Sequence, residues 1–270
     1  MTQQHWGRDE ARLSDDLIDY GRVADVYDLY VASDFDIGFY VEEVSKVQGK
    51  VLELMCGTGR ISVPLLEAGV VLTGVDASEG MLVRLEQRLR ARKLKARVVR
   101  ADVRYLDLPE EEFEVALIPF HSFSELVSPR DQELALRAIY ACLIEGGYLI
   151  CALHNPAVRA RSADGVLRLN GSFPTAEGGL LVVSGFETLD EGSGVVDRVQ
   201  LYEFFDASSN LHAKRVLPMR FSLTTRSEFA EHANAAGLVP VALYGDYHRG
   251  EFLEDSSPFM IWVLEKVRRP

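Results

Sequence analysis

Lys50 to Asp76 reads KVLELMCGTGRISVPLLEAGVVLTGVD, and the way this stretch folds decides the rest of the chain. Val51 to Met55 is a short apolar strand with Glu53 near its carboxyl end. Cys56-Gly57-Thr58-Gly59 is a tight turn, and Arg60 to Leu66 has helical apolar spacing through Ile61, Val63, Leu65 and Leu66. Gly69 ends that helix, Val70 to Val75 is a second buried strand, and Asp76 closes it. Strand, glycine turn, helix, strand and acid make half of a nucleoside-binding α/β unit. Glycine takes φ values closed to other residues and lets the backbone approach a ligand closely. An acid ending the next strand accepts both hydrogen bonds of a ribose diol. The turn is G-x-G, with Ile61 and Ser62 where a third glycine would stand. That favours a ligand with a ribose over one whose pyrophosphate packs on the helix N-terminus.

Further along, Ser78 caps a helix from Glu79 to Arg92 with Met81, Leu82, Leu85 and Leu89 on one face. Ala96 to Ala101 is a third strand closed by Asp102. Phe113 to Pro119 is a fourth strand, followed by the loop Phe120-His121-Ser122-Phe123-Ser124-Glu125. A helix from Asp131 to Leu143 and the turn Gly146-Gly147 lead into a fifth strand, Tyr148 to Leu153, with His154-Asn155-Pro156 at its carboxyl end. Ligands of open parallel sheets bind outside the carboxyl ends of the strands, so both histidine-bearing loops stand where chemistry is expected.

These stretches resemble the class I S-adenosylmethionine-dependent methyltransferases, through Glu53-Leu54-Met55-Cys56-Gly57-Thr58-Gly59, Gly74-Val75-Asp76-Ala77-Ser78, Ala101-Asp102-Val103 and Glu145-Gly146-Gly147. The resemblance implies an α/β fold with a Rossmann-like seven-stranded sheet and helices on both faces. It implies S-adenosyl-L-methionine as cofactor, its methionine part wrapped by Glu53, Cys56, Gly57 and Gly59. Asp76 would take the ribose and Asp102 the adenine, with Ala77, Met81, Val103 and Pro119 alongside. The family usually has glycine where this chain has Met55.

Length and composition set outer bounds. At 270 residues the chain accommodates one large α/β domain or one with an inserted cap. A formal charge of -12 disfavours a nucleic-acid backbone, which needs Lys and Arg to neutralise phosphates. Cys56, Cys142 and Cys151 form no C-x-x-C pair and read as reduced thiols. With neither a leader pattern nor an apolar run of membrane-spanning length, a cytoplasmic protein without a membrane partner is expected. No H-E-x-x-H or carboxylate cluster of metal spacing occurs, so no metal is expected. The P-loop and the G-x-S-x-G elbow are missing as well.

Residues 1–44 read as an arm, Met1 to Asp16, and a helical segment rich in Tyr20, Tyr27, Tyr30, Phe35, Phe39 and Tyr40. Two readings stand: the rings pack against the main domain, or Tyr20, Tyr27 and Tyr30 line a substrate pocket as a lid. Residues 45–270 form the main domain. Between about 157 and 223 an insertion is expected, with hairpin strands Leu180 to Thr188, Val195 to Phe205 and Leu211 to Leu223. The arginine-containing section Ala157 to Phe173 either covers the site or connects elements. Thr225 to Ala236 is a helix, and Val239 to Leu243 and Phe259 to Glu265 close the sheet.

The chemistry implied is methyl transfer to a small acceptor, at nitrogen in preference to oxygen because of the aromatic lid and the acidic charge. His121 and His154 are candidate bases, or hydrogen-bonded pocket histidines without proton transfer. Phe123, Asn155 and Tyr247 are candidates to touch the acceptor. Glu125 would hold an ammonium or a hydroxyl, and Arg220 a carboxylate if its strand faces the cleft. A nicotinamide-dependent oxidoreductase and a non-catalytic cofactor-binding protein are the competing readings. Monomer and homodimer are both compatible with the sequence.

Overall fold

A computed structural model describes residues 17–108 and 113–267; the arm expected over Met1 to Asp16 lies outside the described residues. After a 3-10 turn at Tyr20–Arg22 come two short helices, α1 (Tyr27–Tyr30) and α2 (Ile37–Val44). The α/β succession then runs β1 (Val51–Leu54), α3 (Ser62–Glu67), β2 (Leu72–Asp76), α4 (Glu79–Arg92), β3 (Arg97–Arg100), β4 (Phe113–Ile118), α5 (Pro129–Cys142) and β5 (Leu143–His154). Helix α6 (Pro156–Ala160) leads to β6 (Arg168–Pro174), β7 (Leu180–Asp190), β8 (Val195–Phe205) and β9 (Leu211–Ser222). Helix α7 (Arg226–Ala236), β10 (Leu238–Tyr244) and β11 (Phe259–Lys266) complete the chain.

Seven strands form the main sheet in the order β10-β11-β5-β4-β1-β2-β3. The five from β5 to β3 are parallel, while β11 pairs antiparallel with both β5 and β10. Strand β1 is buried on both faces, which suits Val51, Leu52 and Leu54 and encloses Glu53 with them. Leu52 and Leu54 enter a core with Ala135, Leu136 and Ile139 of α5 and Phe229 of α7. Val51 faces the other way, toward Leu65 of α3, Leu85 of α4 and Tyr40 of α2. Helices therefore cover both faces.

Local chemistry sets the helix ends. Ser78 Oγ accepts from the Met81 N–H and Ser128 Oγ from Asp131. Thr225 and Glu228 make a reciprocal capping box, and Gly237 ends α7 at φ 94°. The chain order reverses between β1 and β4, so their carboxyl ends open a crevice.

The second sheet, β6-β7-β8-β9, is antiparallel and has one strand more than the three expected. Section 157–173, left between a cover and a connector, supplies α6 and the edge strand β6. Strand β6 is mostly exposed, so it has no apolar alternation to announce it. The N-terminal aromatics divide. Phe39 and Tyr40 sink into the core of the main sheet, whereas Tyr20 and Tyr30 pack with Val23, Val26, Leu181, Tyr202 and Leu217 in a core shared with the second sheet. No described helix is long and apolar enough to cross a membrane.

Candidate active site

A cavity of about 490 Å³ lies over the crevice, in the size range of small-molecule sites. Its floor comes from the carboxyl ends of β1 to β4 and its roof from the N-terminal segment and the second sheet.

On the floor, β1 runs into Met55 at φ 54°, Gly57 at φ 57° and Gly59 at φ 83°. Met55 thus takes the left-handed conformation that glycine adopts freely, and its side chain joins the cavity wall. A Cβ at Gly59 would collide with Leu85 of α4, so this glycine allows helix and turn to touch. Gly57 faces the cavity, and its N–H donates to Asp76 Oδ2 at 2.8 Å. The Ser78 N–H donates to Asp76 Oδ1 at the same distance. Burial raises the pKa of Asp76, and these backbone donors oppose the rise. Each oxygen keeps acceptor capacity beyond its one backbone partner.

Of the residues expected at a cofactor, Gly57, Asp76, Ala77, Met81, Asp102 and Val103 line the cavity. Glu53, Cys56, Gly59 and Pro119 do not. Glu53 is buried beneath the turn and accepts from Ser62 Oγ at 2.5 Å, with burial pushing its pKa up to about 8. Cys56 is buried with Sγ toward Gly74, where the absence of a side chain leaves it room. Asp102 has a strong partner of its own: Arg104 donates to its carboxylate through Nε at 3.0 Å and Nη2 at 2.6 Å.

The far end of the cavity is aromatic. Tyr20, Tyr27 and Tyr30 follow one another edge-on, with centroids 6.0 and 5.4 Å apart, and Tyr30 shares a 2.8 Å hydrogen bond with Tyr202 of β8. Tyr20 OH donates to Glu125 Oε1 at 3.0 Å. Burial lifts Glu125 to about 8, and this hydrogen bond restrains the rise. His121 and His154 also line the cavity, with rings 3.9 Å apart. His121 and its neighbour Phe120 both have positive φ, 65° and 56°, a costly backbone that aims the imidazole inward. Burial, followed by the charge of Arg159, lowers His121 to about 3. His154 lies well below its usual value through burial, the neighbouring imidazole and Arg159 and Arg198. Both rings are therefore held toward their neutral form.

Four residues expected at the acceptor lie elsewhere. Phe123 sits on the 3-10 turn Ser122–Glu125, which rotates it into the core against Phe229. Asn155 is fully buried; its amide donates to the Glu254 and Ser257 carbonyls, and its oxygen caps α6. Arg220 projects from the outer face of β9 and pairs with Asp197 at 3.1 Å, away from the cleft. Tyr247 is enclosed by Phe35, Phe39, Tyr40 and Phe259.

The N-terminal segment is pinned to the floor. Asp28 Oδ1 accepts from Thr58 Oγ1 of the glycine turn at 2.5 Å and from Arg88 of α4 at 3.2 Å. Asp36, fully buried, takes both nitrogens of the Arg60 fork at 2.5 and 2.7 Å, and Arg60 lies over the Phe120 ring.

Comparison with known proteins bears on the same crevice. A methyltransferase domain family matches residues 51–147, from β1 to the turn inside β5. The chain is 27% identical to the glycine/sarcosine N-methyltransferase of Parasynechococcus marenigrum (strain WH8102), across 99% of this chain and 86% of that protein. Family match, fold and relatives together support a class I S-adenosylmethionine-dependent methyltransferase of the small-molecule type.

Solved structures agree on the fold of this methyltransferase. The CcbJ methyltransferase from Streptomyces caelestis is 24% identical with a TM-score of 0.78, covering 94% of this chain and 100% of that one. The sugar N-methyltransferase KedS8 from Streptoalloteichus is 20% identical with a TM-score of 0.74, covering 99% of both. The nicotinamide-dependent reading is left without support. Sequence reasoning missed several wall residues of the methyltransferase, namely Phe120 and, from the second sheet, Asn170, Arg198, Gln200 and Met219. The period-2 pattern of β8 carried a signal for two of them: Arg198 and Gln200 share the face of Val196, Tyr202 and Phe204, all buried.

Proposed function

We propose that the chain moves the methyl group of S-adenosylmethionine to a nitrogen of a small acceptor, with residues 17–44 as lid and the insertion at about 157–223 as roof. The reading rests above all on the cavity that runs from Asp76 and Gly57 to Tyr20, Tyr27 and Glu125 with two uncharged histidines between. The fit to the cofactor is chemical: a buried carboxylate with spare acceptor capacity beside a side-chain-free turn suits a ribose diol. Asp76 would hold the sugar, while Ala77, Met81 and Val103 form an apolar slot for the base. When bound, the cofactor supplies a methyl group already activated on a sulfonium.

The remaining work falls to the chain: placing a lone pair, excluding water and managing one proton. Tyr20, Tyr27 and Tyr30 give rings that suit a cationic amine. Glu125, poised near 8, takes the ammonium proton and leaves the nitrogen lone pair free. His121 and His154, neutral throughout, position and exclude water instead of acting as the bases expected from sequence. An alcohol would need a stronger base, and neither imidazole is one. The names of the relatives, a glycine/sarcosine and a sugar N-methyltransferase, support nitrogen.

The test is incubation with methyl-labelled S-adenosylmethionine and matched pairs of small amines and the corresponding alcohols, with products located by mass spectrometry. Label on nitrogen is expected. Label on oxygen with the amines inert would overturn the reading.

A further inference from the structure

Above the two histidines the roof carries a cluster that the methyl-transfer chemistry does not use. Arg159 of α6 and Arg198 of β8 both donate to one oxygen, Oε1 of Glu187, at 2.6 and 3.0 Å. Glu187 and Arg198 are direct cross-strand partners on β7 and β8, and Glu187 is buried. Two guanidiniums against one carboxylate leave a positive charge inside the molecule. The nearby charges that might offset it are engaged elsewhere: Asp164 pairs with Arg168 at the exposed end of β6, and Asp197 pairs with Arg220 on the outer face.

Both guanidiniums line the cavity, and Nε of each is buried without a hydrogen-bond partner among the described residues. A buried, unmatched donor on a charged group is unfavourable unless something else takes its hydrogen bond. Asn170, with its amide oxygen 3.1 Å from Arg198, and the Phe221 ring under Arg159 hold the two forks in place. The acidic groups of the cavity, Asp76, Asp102 and Glu125, belong to its floor and far end, and the carboxylate that pairs with the two guanidiniums is Glu187. Burial lowers the pKa of Arg159 and Glu187 raises it, with Arg198 lowering it again, as expected for two crowded cations.

We infer that Arg159 and Arg198 form a subsite for a carboxylate of the acceptor, so that the acceptor is an amino acid or a similar aminocarboxylate with its nitrogen directed toward Tyr20 and Glu125. The planar guanidinium fork matches a carboxylate in a way that a lone ammonium does not. This assignment deepens the N-methyltransferase reading and rests on it.

The test uses the full chain saturated with S-adenosylhomocysteine, titrated calorimetrically with a panel of amino acids and with their primary amides. Amino acids are expected to bind at least tenfold more tightly than the matched amides. In Arg198→Gln that ratio should fall to near one, Arg198→Lys should restore part of it, and Glu187→Gln, which frees both forks, should increase it. S-adenosylhomocysteine binding by each variant reports that it is folded. If the arginines only fasten α6 to the roof, Arg198→Gln lowers thermal stability and leaves the ratio intact, which overturns the assignment. Amides binding as well as acids, or no amino acid binding at all, overturns it equally. Failure of the parent reading looks different: amino acids bind, yet no label reaches the nitrogen of any amine.

Discussion

Glu53 is a carboxyl group in a place where its charge is unwelcome. It is buried under the glycine turn, where its carboxylate accepts a hydrogen bond from the Ser62 hydroxyl. Its pKa near 8 lies above the ordinary value of 4.5, so the folded protein keeps a proton that the unfolded chain has lost. The sign follows: the stabilising contribution is complete below about 4.5 and is lost as pH rises through 8. At one pKa unit per 1.36 kcal/mol, the loss is on the order of 3–5 kcal/mol. Glu53→Gln removes the titrating group and keeps an acceptor for Ser62. Its melting temperature should match the parent near pH 5 and exceed it by several degrees near pH 9. A difference that does not change with pH would contradict a protonated Glu53.

At this scale the legible residues are those in local motifs. Asp76 and Gly57 were readable because strand, turn and acid are contiguous. Phe123 and Asn155 were not, because a single 3-10 turn and a buried cap decide where they point. Arg220 and Arg198 differ by strand parity alone, one facing out and the other in.

Helices and strands show a different division. Helix α4 was readable at both ends, from Ser78 to Arg92, because its cap and its apolar stripe agree. Strand β6 was hidden, since an exposed edge strand buries too little to show a pattern. The N-terminal segment was readable as aromatic and helical, but its anchorage was not, because Asp28–Thr58 and Asp36–Arg60 join residues 30 and 24 positions apart.

One anchor depends on the absence of a side chain. A Cβ at Gly80 of α4 would come within 3.2 Å of both Ala24 Cβ and Gly21 Cα. Gly80→Leu should wedge the 3-10 turn Tyr20–Arg22 away from α4, costing about 1–3 kcal/mol and several degrees of melting temperature. Because Tyr20 moves with that turn, acceptor KM should rise more than kcat falls. Thermal melts and steady-state kinetics check both parts, and an unperturbed KM would show that the turn does not position Tyr20.

For the molecule as a whole, the five parallel strands were legible one by one because α3, α4 and α5 separate most of them, and the final hairpin adds the antiparallel edge. The roof was only half legible: its strands were visible, their placement over the crevice was not. Floor and roof share one cavity, so a ligand that touches the floor should stabilise the molecule as a unit. S-adenosylmethionine at about 100 times its Kd should add about 2.7 kcal/mol, seen as a rise in melting temperature. Asp76→Asn should show little of that rise. An equal rise in the variant would remove Asp76 from the cofactor contacts.

The core beneath the roof brings Val23 and Val26 against Leu217 and Met219, and Arg215 donates to the Arg22 carbonyl across 193 positions of sequence. Such distant partners meet only after most of the polypeptide has been made. During synthesis the first forty residues therefore wait for β8 and β9 before the core they share can close.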